Sequence, residues 1–145
     1  SPETLCTSLI IRAVYITILI PGGNMSTVLL VEDSSTMRKI ISRSLRQAGL
    51  PADVVLEAGD GYEGLLQLSS GATVDLILSD INMPNMDGLA FVSEVREQGY
   101  KMPIVMLTTE GGEDVISEAI DRGANASIKK PFTPEQLKDQ LQSYL

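Results

Sequence analysis

Histidine is absent from this chain, and cysteine occurs once, at Cys6. The first absence removes imidazole acid–base catalysis, Ser-His-Asp triads and most zinc sites. The second removes any disulfide framework and any thiolate metal cluster. Positive charge is also scarce. Eleven lysines and arginines face 19 aspartates and glutamates, and the formal charge of −8 argues against direct nucleic-acid binding, which needs a basic surface. No GxxxxGK[ST] phosphate loop occurs. The mostly apolar stretch Leu9 to Ile20 is interrupted by Arg12 and falls short of the roughly 20 residues that cross a bilayer. Any chemistry here must run on carboxylates, hydroxyls, lysines and a hard metal ion.

What remains is one domain's worth of chain: 145 residues, 43% of them apolar, enough to enclose a hydrophobic core. Residues 1–24 stand apart. They lack the basic start and small-residue cleavage site of a secretory signal, and Pro21-Gly-Gly-Asn24 breaks regular structure. They are expected to be a leader or a misplaced start outside the core, with the functional domain over residues 26–145. A short membrane-associating or partner-binding helix is the alternative.

From Thr27 onward a short apolar run, a turn and an amphipathic helix recur five times. The runs Val28–Val31, Val54–Leu56, Leu76–Leu78, Ile104–Leu107 and Ala126–Ile128 mostly lack alternation, which suits parallel strands covered on both faces. Met37, Ile40, Ile41, Leu45 and Ala48 share one helix face, and Val115, Ile116, Ala119 and Ile120 share another. Gly49 and Gly123 stand where C-terminal caps belong. Thr133-Pro-Glu-Gln136 reads as a capping box with proline at the first helical position, and Leu137 and Leu141 supply that helix's buried face. The pattern predicts an α/β fold, a (βα)5 doubly wound parallel sheet of flavodoxin-like strand order 2-1-3-4-5.

Gly59-x-Gly61-x-x-Gly64 follows a strand and opens a helix, and Asp80 ends a strand about 20 residues on, as a dinucleotide fingerprint asks. Against that reading, Asp60 and Glu57 would set negative charge against a pyrophosphate. An Asp60-Gly61 turn followed by a helix start explains the run better.

Ligands of open α/β sheets bind at the carboxyl ends of the strands. The first strand ends in Glu32-Asp33 and the third in Asp80, followed by a turn at Pro84. In this sheet those strands are neighbours, so three carboxylates meet. They repel one another unless a cation joins them, and oxygen-only donors point to Mg²⁺ before Ca²⁺. The fourth strand adds the Thr108 hydroxyl at the same rim and the fifth adds Lys130, held before Pro131. Three carboxylates, one lysine and one divalent cation sum to zero, so an incoming phosphoryl dianion meets no large negative field.

Glu32-Asp33, Asp80, Thr108 and Lys130-Pro131 at these strand ends resemble the receiver domain of two-component response regulators, over about residues 26–145 and most like the stand-alone chemotaxis type. The resemblance implies a cytoplasmic signalling switch, not a turnover enzyme and not a membrane protein. It implies that Asp80 accepts a phosphoryl group from a sensor histidine kinase or phosphotransfer protein. Asp33, Asp80 and the Asn82 carbonyl would hold Mg²⁺, with Glu32 assisting through water, and Thr108 and Lys130 would bind phosphoryl oxygens. A downstream protein target would read movement of the Thr108–Gly112 loop and the helix after it, with Asn82 and Glu110 tuning hydrolysis at the cleft mouth. One departure stands out: Ser127 occupies a position where such receivers often carry an aromatic switch residue. Receiver-type docking without phosphorylation is the alternative. A magnesium-dependent phosphohydrolase fits less well, because Asn82 stands where it would need a second acid.

Overall fold

The five apolar runs form strands β1 (Thr27–Val31), β2 (Val54–Ala58), β3 (Leu76–Asp80), β4 (Ile104–Thr108) and β5 (Ala126–Lys129). Between and after them lie helices α1 (Ser35–Gln47), α2 (Gly61–Ser69), α3 (Gly88–Glu97), α4 (Glu113–Arg122) and α5 (Pro134–Leu141). The structure, a computed structural model, describes residues 26–109 and 112–145. The expectation for residues 1–24 lies outside the described residues, as does the one for Glu110. All strand pairings are parallel and the order is β2-β1-β3-β4-β5, the flavodoxin-like order.

Successive residues of a strand point to opposite faces, and the two faces build two cores. Leu29, Val31 and Ile77 pack with Phe91, Val92 and Val95 of α3 and Leu68 of α2. Val28, Leu30, Leu76 and Leu78 pack with Ile41 and Leu45 of α1 and Leu137 and Leu141 of α5. Full burial of a side chain such as Phe91 contributes about 1.5–3 kcal/mol. Gly64 lets α2 approach α3 closely, since a Cβ there would stand 2.8 Å from Phe91 Cε1.

The caps follow the sequence. Thr133 Oγ1 accepts from Gln136 N (3.2 Å) while Gln136 Oε1 accepts from Thr133 N (2.9 Å), with Pro134 opening the helix. Gly49 follows α1 with φ of 72°, and Gly123 caps α4 with φ of 124°, left-handed values that favour glycine.

The apolar stripes of α1 and α4 prove wider than the surface they cover. Ile40 is 49% exposed and Ile120 42%, and Ala119 alone of the expected α4 face is fully buried. Ile40 lies on the flank of α1, lining an apolar groove with Met37, Pro131 and Phe132. Among the described residues no helix is long and apolar enough to cross a membrane.

Candidate functional site

The site is assembled by register. Val31 of β1 pairs with Ser79 of β3, and Asp80 with Leu107 of β4. Glu32, one residue past β1, and Asp80, the last residue of β3, therefore emerge side by side. Glu32 is pinned there through its backbone: its N–H donates to Ala58 O (2.9 Å), and Arg38 Nη1 donates to its carbonyl (2.5 Å). Arg38 also pairs with Glu57 on the edge strand at 3.1 Å. Asp33 follows in the turn, before Ser34 caps α1 by accepting from Met37 N.

Carboxylate oxygens of Glu32, Asp33 and Asp80 lie within 4.8 Å of one another. Glu32 is buried, Asp80 half-buried and Asp33 exposed. From the end of β5, Lys130 reaches in with Nζ 3.3 Å from Asp80 Oδ2 and 3.6 Å from Glu32 Oε1. Its backbone N–H donates to Thr108 O (2.6 Å), and the bond to Pro131 is cis. Asp80 Oδ1 accepts from Ile81 N (3.0 Å), which fixes the carboxylate's orientation.

Burial pushes the Glu32 carboxyl up to about 7, with hydrogen bonding to Asp80 and the charge of Asp80 adding to it and Lys130 opposing. Glu32 Oε2 is buried without a hydrogen-bond partner among the described residues. A buried carboxylate oxygen of this kind is rare unless something is meant to meet it. Three converging carboxylates with one unmet oxygen, and no cysteine or histidine beside them among the described residues, make a candidate acidic metal site suited to a hard cation.

The remaining expected residues surround the same opening. Asp80, Ile81, Asn82, Leu107, Thr108, Thr109, Gly112 and Val115 line a cleft of about 160 Å³. Thr108 is buried at the end of β4 and Asn82 is exposed at the mouth. Ser127 pairs in register with Met106 and lines a second groove, of about 630 Å³, with Thr108, Ile116 and Lys129.

Sequence reasoning missed three contributors. Arg38 was one cation among several on α1, with nothing local to mark its hold on Glu32. Gly88 lies so close to the Asp80 carbonyl that no Cβ fits; its place after Asp87 was the only signal. The sequence marks Asp60 only as a turn residue, and its second bond, from Asn85, crosses 25 residues. The glycine run itself is a turn and helix start: Asp60 caps α2 by accepting from Glu63 N (2.9 Å), and the Glu63 carboxylate accepts from Gly59 N. Its own acids fill the position a pyrophosphate would need.

Residues 28–142 match the family described as the response regulator receiver domain. The chain belongs to that family and is a signalling module rather than an enzyme turning over a free substrate. It is 46% identical over 119 residues to the chemotaxis protein CheY homolog of Campylobacter jejuni, covering 81% of this chain and 90% of that one. Chemotaxis protein CheY1 of Helicobacter pylori is 43% identical over 119 residues, covering 81% and 94%. Among solved structures, chemotaxis protein CheY4 of Vibrio cholerae superposes with a TM-score of 0.75 at 43% identity, covering 84% of this chain and all of that one.

Proposed function

We propose that this protein is a phosphoaspartate switch in which Asp80 accepts a phosphoryl group from a histidine kinase or phosphotransfer protein. The observation that carries this reading is the contact of Lys130 Nζ with Asp80 Oδ2 inside the carboxylate cluster. Carboxylates are weak nucleophiles, and phosphoryl transfer depends mainly on positioning and charge neutralisation. An Asp80 oxygen attacks phosphorus, the bond to the donor nitrogen breaks, and an acyl phosphate forms. The departing imidazole keeps the electron pair of that bond and takes up a proton. Asp33, Asp80 and the Asn82 carbonyl would hold Mg²⁺, with Glu32 reaching it through water, and the ion would neutralise charge on the phosphoryl oxygens. Lys130 would move from its ion pair with Asp80 to a phosphoryl oxygen. The Thr108 hydroxyl would bind another and draw the following segment inward, altering the surface that α4 offers to a downstream target.

The switch is proposed to reside in residues 26–145 and to act in the cytoplasm, in signalling of the chemotaxis type. Ser127 is small, so coupling through a swinging ring gives way to coupling through Thr108 and α4. Incubation with Mg²⁺ and acetyl phosphate tests the reading. One phosphoryl group should appear by intact mass, be lost on hydroxylamine treatment, and map to Asp80. An unmodified Asp80 under these conditions would leave a docking module in its place.

A further inference from the structure

The Gly59 and Gly61 amides of the Gly59–Gly64 run are taken by protein acceptors, and the run lies against the loop that follows Asp80. Two tethers join them. Asn85 Nδ2 donates to Asp60 Oδ2 at 2.8 Å, and Gly61 N donates to Met86 O at 3.3 Å. The Asp60 carboxylate is thus divided, one oxygen capping α2 at Glu63 N and the other holding the loop. The Met86 side chain lies so close over Gly61 that a Cβ there would stand 2.6 Å from its Cγ. Asn85 has φ of 66°, a left-handed conformation that asparagine tolerates better than most residues. At its base the loop is closed by Gly88 N donating to Ile81 O (2.7 Å). Asn82 lies between that base and the tethered tip.

We propose that Asp60 is a positioning residue: with Asn85 it clasps the loop after the phosphoacceptor and holds the Asn82 backbone in the attitude the site requires. This inference rests on the Mg²⁺-dependent reading above, in which the Asn82 carbonyl is a ligand. The physical ground is that groups supporting a ligand from behind fix its direction, and their loss typically weakens metal binding about 10–100-fold. The clasp is at the surface and backed by a second tether, so a smaller effect is expected here.

Three variants of the full chain test it. Asn85→Gly keeps the left-handed turn and the net charge but removes the amide. Asn85→Asp sets two carboxylates against each other. The swap Asp60→Asn with Asn85→Asp restores a donor–acceptor pair at unchanged net charge and retains a good cap for α2. In metal-free protein, the hydrogen-bonded backbone amides of Gly61, Met86 and Gly88 should exchange with solvent at least threefold faster in Asn85→Gly and Asn85→Asp than in the wild type and the swap. Mg²⁺ affinity by calorimetry should fall about three- to tenfold in Asn85→Gly and return to within twofold in the swap. Unchanged exchange in both single variants overturns the clasp. Faster exchange with unchanged affinity, in a protein that does bind Mg²⁺, overturns its positioning role. A wild type that binds no Mg²⁺ refutes the metal reading and the positioning role together, while exchange still decides whether the clasp exists.

Discussion

Lys130 Nζ stands 3.3 Å from Asp80 Oδ2 and also 3.6 Å from Glu32 Oε1, so one ammonium from the end of β5 bridges carboxylates carried by β1 and β3. Both acids and the lysine are largely buried, which strengthens attraction and repulsion alike over what an exposed group would feel. The cluster is therefore under opposing forces, and single substitutions should reveal their sizes.

Asp80→Asn removes the proposed acceptor and should abolish acyl phosphate formation with acetyl phosphate. It relieves repulsion from Glu32 and Asp33 but loses the contact with Lys130. These effects offset, so unfolding free energy should change by no more than about 1 kcal/mol. Denaturant unfolding and intact mass measure both outcomes; full phosphoryl incorporation in this variant would refute the acceptor assignment.

Lys130→Met leaves three carboxylates without their cation. At pH 7 in metal-free buffer the domain should lose about 1–3 kcal/mol, less than a fully buried broken pair costs because Glu32 can take up a proton. The loss should shrink at pH 5. Phosphorylation by acetyl phosphate should slow at least tenfold, because the positive group proposed to meet the phosphoryl oxygens is gone.

Glu32 makes metal-free stability depend on pH in a direction opposite to that of an ordinary paired carboxylate. Its folded pKa lies near 7, above its ordinary 4.5. The folded state therefore binds more protons between those values, and stability falls as pH rises across that window. The contribution is fully present below pH 4.5 and lost as pH passes 7. On subtracting the profile of Glu32→Gln, a fall on the order of 2–3 kcal/mol should remain. A flat difference between the two profiles would assign Glu32 an unshifted carboxyl.

Gly88→Ala should destabilise by about 1–3 kcal/mol. The new Cβ would crowd the Asp80 carbonyl oxygen and stand 2.8 Å from Ile81 Cα, and backbone cannot yield as a side chain can. Because the crowded atoms are the carbonyl of the proposed acceptor and the Cα of the residue after it, phosphorylation should fall further than the thermal midpoint suggests.

Strand and helix positions, the strand-end carboxylates and the capping box at Thr133 were all legible in the sequence, because each rests on interactions within a few residues. A continuous apolar run needs cover on both faces wherever it occurs, and Glu32, Asp33, Asp80, Thr108 and Lys130 declare themselves by following such runs. What touches what depended on the folded sheet. The hold of Arg38 on Glu32, the reach of Lys130 to Asp80 and the Asp60–Asn85 clasp join different elements, the last across 25 residues. The exposure of Ile40 and Ile120 likewise reflects how much of each helix face is covered in the fold, which periodicity does not encode. Even the chemistry of Glu32 belongs to this second group: sequence supplies a carboxyl, but only burial beside Asp80 raises its pKa to about 7 and leaves one oxygen unmet.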